Sequence, residues 1–161
     1  MSTTLTLTEQ STFADIGAEL LRTVEAAVPL LRALTDSRAS EPRSSGKWSP
    51  KQVIGHLVDS AANNHQRFVR AQLGAELTMP GYSQDDWIAL QGYQESSWED
   101  VIALWRASNR HLAQVIERIP ESRRSTTCTI GSNSPITLGF LAYDYVRHLR
   151  HHLAQANALP D

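Results

Sequence analysis

The chain has 161 residues, 41% hydrophobic and 20% charged, with a formal net charge of −2 and one cysteine, Cys128. That length suits one domain that buries its own core, the lone cysteine excludes an intrachain disulfide, and the absence of clustered Lys and Arg argues against nucleic acid. Residues Met1–Gln10 lack the basic start and apolar run of a secretory leader. No stretch approaches the ~20 apolar residues of a membrane span, so a cytoplasmic protein with no membrane association is expected.

Helical periodicity first appears from Thr8 to Leu34, where Phe13, Ile16, Leu20, Val24, Val28 and Leu31 recur in steps of three and four. Pro29 interrupts this stripe and is expected to kink it. A polar loop, Asp36 to Lys47, follows. Ser49, Pro50 and Gln52 form a strong helix start, a cap followed by proline at the first position and a capping-box partner. The buried side of this second helix should include Val53, Leu57, Ala61, Asn64 and Phe68, and Gly74 can end it. Ala75 to Ser96 reads as a long crossover holding a short helix, Ser83 to Leu90. Ser97, with Asp100 three residues on, starts a third long helix whose stripe runs from Trp98 to Ile119. Pro120 breaks it, and residues 121–136 are turn-like with room for a short extended piece. The last helix spans Thr137 to Ala158. No repeat, second domain or parallel-sheet pattern is visible. The expected fold is all-α, a four-helix bundle in which the crossover frees adjacent helices from being antiparallel.

The last helix, ITLGFLAYDYVRHLRHHLAQA, continues its apolar stripe into His148 and His152. Residues four apart converge on one patch, so two imidazoles face the interior. Each neutral ring carries a donor and an acceptor to satisfy. A divalent ion satisfies one nitrogen of each, with Asp144 or Tyr145 available to hold the remaining N–H. Bonding to local polar groups is the plainer alternative. A third ligand should come from elsewhere, and His56 in KWSPKQVIGHLVDS borders a polar face made by Asp59, Ser60 and Asn63. It can equally be a half-exposed histidine beside a cap. His65 and His111 read as surface, and His151 as the bundle edge.

The segments KWSPKQVIGHLVDS, NNHQRFVRAQLG, YSQDDW and DYVRHLRHHLAQ together resemble the DinB superfamily, and within it the YfiT-like group of metal-dependent hydrolases. The resemblance covers Trp48 to Ala156. It implies a bundle of up-down-down-up topology and a three-histidine site for one divalent ion, nickel or zinc. His56 matches the family motif W-S/T-x-x-x-V-x-x-H-L, and His148 and His152 match its H-x-x-x-H.

Three nitrogens and an open position are the pattern of a catalytic site. Hydrolysis of a small ester or amide fits it, as does transfer chemistry with a low-molecular-weight thiol, which other superfamily members perform, or metal binding without catalysis. Asp59 and Asp144 are the nearest candidates for acid–base work. Asn63 and Arg67 can position a polar or anionic substrate, and Tyr82 with Trp87 can wall the cavity mouth. Cys128 has no expected role. A homodimer through exposed helix faces is a further expectation.

Overall fold

The computed structural model describes residues 6–158. Residues 1–5, which form half of the stretch read for a leader, lie outside the described residues. Helix α1 spans Phe13–Arg32 and runs on through Pro29. It starts later than the expected Thr8, because Thr12 accepts from the Asp15 amide and the Asp15 carboxylate accepts from the Thr12 amide. That reciprocal cap satisfies the first free backbone donors and sets the boundary. The expected loop after α1 contains a short helix, α2 (Asp36–Ala39), capped by Thr35. Asp36 accepts from Lys51 Nζ at 2.9 Å and from the Trp98 amide at 2.7 Å, so it joins the starts of the next two long helices.

Helix α3 is Pro50–Arg70, with the Ser49–Gln52 capping box formed as expected. Helix α4 is Gln84–Gln91, followed by a 3₁₀ turn at Tyr93–Glu95. Helix α5 is Trp98–Glu117, capped by Ser97, and α6 is Leu138–Gln155. Their directions follow from side-chain pairs. Trp98 Nε1 donates to Leu31 O and Arg106 pairs with Glu25, so α5 runs against α1. The starts of α3 and α5 share Asp36, and further along their His65 and His111 rings lie 5.2 Å apart, so these two helices are parallel. The pairs His56–His152 and Phe68–Tyr145 make α6 antiparallel to α3. The order is therefore up, down, down, up.

Parallel α3 and α5 require the intervening chain to travel back along the bundle. On the way it forms a strand, β1 (Glu76–Met79), paired in parallel with β2 (Thr127–Ile130), which in turn pairs antiparallel with β3 (Ile136–Thr137). This small sheet corrects the expectation of no parallel pairing. Four-residue strands carry too little alternation to register, and their partners lie far apart in sequence. One hydrophobic cluster joins all the long helices and reaches Leu77, Cys128 and Ile130 of the sheet. Among the described residues, no helix is long and apolar enough to cross a membrane.

Candidate metal centre

His56 stands in the second turn of α3, facing the C-terminal half of α6. Its ring is 0% exposed, and neither ring nitrogen has a hydrogen-bond partner. His148 and His152, one turn apart on α6, complete a cluster in which one nitrogen of each ring lies within 4.8 Å of the other two. His148 Nε2 and His152 Nε2 are 3.1 Å apart. Nitrogens bound to one tetrahedral zinc at ~2.05 Å sit about 3.3 Å from each other, so these two rings are already at ligand spacing. The Trp48 ring packs 5.3 Å from that of His56 and closes the N-terminal side of the cluster.

Burial makes these rings poor bases. It pushes His56 down to about 3, helped by the neighbouring His152 and His148 rings. His148 is lowered to about 4, first by burial and then by His152, and His152 is lowered mainly by burial. All three rings are thus neutral near pH 7, the form that ligates metal. A buried His56 with two unsatisfied nitrogens is costly as it stands. A cation shared by the three rings removes part of that cost, so the residues present fit a metal ion.

The partner that orients the site is not the one expected. His152 Nδ1 lies 2.8 Å from Gln155 Oε1, one turn later on α6. Asp144 instead accepts from Arg147 Nε at 2.8 Å, and the Tyr145 hydroxyl donates to Asn109 Oδ1 across the core. His151 is exposed and within 3.3 Å of Gln155 Nε2. His65 is half-buried against the exposed His111.

The two candidate acids occupy different surroundings. Asp59 is 1% exposed, and its Oδ1 accepts from Tyr93 Oη at 2.7 Å and from Gln91 Nε2 at 2.9 Å. Burial raises its pKa against the lowering effect of these two bonds. Gly55 makes the contact possible, since a Cβ there would stand 2.2 Å from the Tyr93 ring. Asp59 therefore fastens the crossover to α3. Gln91 and Tyr93 went unnoticed in the sequence, where nothing in their local spacing marks them. Asp144 opens into a cavity of about 300 Å³ with His148, Arg67, Tyr82, Asn64 and Ser60. Asn63 donates to the Asp59 carbonyl of its own helix and lines neither this cavity nor the next. The next, about 510 Å³, touches His152 and Gln155 from the other side, with Trp48, Val53, Arg43 and Lys47 around it. Tyr82 walls the first cavity and packs on Trp87 at 5.0 Å. Cys128 is buried in β2 with its thiol towards Thr126 O.

A model of the DinB superfamily matches residues 19–156. The chain belongs to the DinB superfamily. Its relatives there include an Oceanobacillus iheyensis protein named "Putative metal-dependent hydrolase", 26% identical over 93% of this chain and 88% of the relative. Bacillus subtilis YfiT carries the same description, at 23% identity over 90% and 78%. The solved structure of YfiT, described as having "an unusual four-helix bundle topology", superposes with a TM-score of 0.76 at 21% identity, covering 95% of this chain and 90% of YfiT. That likeness supports the DinB bundle.

Proposed function

We propose that this DinB-superfamily protein is a metal-dependent hydrolase of a small substrate, with His56, His148 and His152 as ligands. The observation that carries the reading is the buried His56 ring, unpartnered at both nitrogens and facing two further imidazoles. Three imidazole donors suit nickel or zinc, and the description of the relatives as metal-dependent hydrolases agrees with this. When bound, such an ion supplies Lewis acidity and a nucleophilic water near neutral pH.

The chain's own residues do the rest. Gln155 holds the His152 ring in one orientation. Asp144, in the same cavity as His148, takes and returns the proton, while its bond to Arg147 fixes its angle. Asp59 holds Gln91 and Tyr93, and with them the crossover that places Tyr82 over the substrate. Trp48 and Val53 form the apolar part of the wall on the His152 side, beside the charged Arg43 and Lys47. The test has two parts. Metal content by mass spectrometry should be about one ion per chain in the wild type and near zero in His148→Ala, and equal occupancy would refute the ligand set. Metal-loaded protein should turn over members of an ester and amide panel without added thiol. Turnover only of electrophiles, and only with a thiol present, would replace hydrolysis by thiol transfer.

A further inference from the structure

Arg67 is the charged group that the metal centre leaves unexplained. It stands about three helical turns after His56 on α3, so it returns to the same face. Helical side chains lean towards the N-terminus, which aims this one back at the histidines. The residue is 9% exposed, yet it forms no ion pair with any carboxylate among the described residues. Its Nε is buried without a hydrogen-bond partner, and the contact of its terminal nitrogen with Asn64 Oδ1 is a long 3.4 Å. Asp144 shares the cavity but gives its carboxylate to Arg147. A buried guanidinium with no counter-charge is expensive to keep. A neutral side chain of similar volume would fill the place at less cost, so packing alone does not account for it.

The cavity around Arg67 ends at His148. Apart from Asp144, held by Arg147, and Tyr145, whose hydroxyl donates to Asn109, its remaining polar side chains are Ser60, Asn64, Tyr82, Gln84 and Asn133, hydroxyls and amides that can donate hydrogen bonds. A forked cation whose neighbours are neutral donors and one carboxylate already paired with Arg147 matches a compact oxyanion, which a guanidinium grips with two parallel bonds. We propose that Arg67, with Tyr82 and Ser60, forms an oxyanion-binding subsite at the far end of the His148 cavity. The substrate is then an elongated small acid, its carboxylate or phosphate held by Arg67 and its reacting bond at the histidines. This identification of the substrate class rests on the metal-centre reading above. The subsite itself requires only the cavity.

The subsite is tested by titrating metal-free protein with acetate and, separately, inorganic phosphate in low-salt buffer, following the Arg67 Nε–H resonance by NMR. At least one probe should shift that resonance saturably, and the stronger probe tells carboxylate from phosphate. Affinity for that probe should fall about tenfold or more in Arg67→Gln. Arg67→Lys, which keeps charge without the fork, should recover part of it and guards against a misfolded glutamine variant. An unmoved Arg67 resonance with both probes, or equal affinity in Arg67→Gln, overturns the subsite even where the wild type holds metal. Loss of metal binding with the Arg67 response intact would sink the metal centre and spare the subsite.

Discussion

The α1–α5 seam and the α3–α6 seam are built from helices of similar length and opposite direction, yet they bury different chemistry. Between α1 and α5 the contact is mainly apolar, with Ile16, Leu20, Val24 and Leu31 facing Trp98, Ile102, Trp105 and Leu112, although the buried Trp105 Nε1 also lacks a partner. Gly17 lets the backbones close in, since a Cβ there would lie 2.8 Å from Ala113 O. Charges stay at the rim, as in Glu25 with Arg106 and Arg110. Towards α6 and the crossover, α3 instead buries His56, Asp59, Ser60, Asn64 and Arg67, and leaves atoms of three of them unpartnered. The first seam supplies the stability that the second gives up. A site of unsatisfied polar groups is tolerated because a neighbouring interface is nearly all hydrocarbon.

The contrast is broken most directly by Leu20→Ala. That substitution should cost about 2–5 kcal/mol in denaturant unfolding, while metal bound per folded molecule stays the same. Gln155→Ala should do the reverse. It should weaken metal affinity by about 10- to 100-fold and leave stability within about 0.5 kcal/mol. Acid separates the seams more gently. His56 and His148 are depressed in the folded state to about 3 and about 4, whereas unfolded histidine titrates near ~6.5. The unfolded chain therefore binds more protons throughout that window. The melting temperature of metal-free protein should fall as pH drops below ~6.5 and continue falling towards 4. His56→Leu should flatten that fall, and an unchanged slope would show that its ring is not held neutral. The smallest effect belongs to the rim, where Glu25→Gln should cost no more than ~1 kcal/mol and less at high salt.

The long helices were legible because their stripes and caps are local signals. Ser49–Gln52, Ser83 and Ser97 all cap where their side chains predict. The Thr12–Asp15 pair was equally readable and places the start of α1 correctly, whereas Thr8 precedes the first stripe residue, Phe13. The meeting of His56 with His148 and His152 depends on two helices distant in sequence, and the family resemblance rather than periodicity tied the three together. Gln155 lies on the side opposite to the expected partners, since Asp144 and Tyr145 precede His148 while the His152 ring turns its Nδ1 towards the helix end. The sheet and the Tyr93–Asp59 bond arise from contacts between distant segments, which no local spacing records.

The parallel course of α3 and α5 leaves a lasting mark on how such a protein can change. A connection that must retrace the bundle passes directly over the face where chemistry would occur, and it brings Tyr82, Gln91 and Tyr93 with it. The ligand-bearing helices and the segment that inspects the incoming molecule are thus separate stretches of chain. One can be lengthened, shortened or rewritten while the other stays as it is, so a single scaffold can acquire new clients without rebuilding its engine.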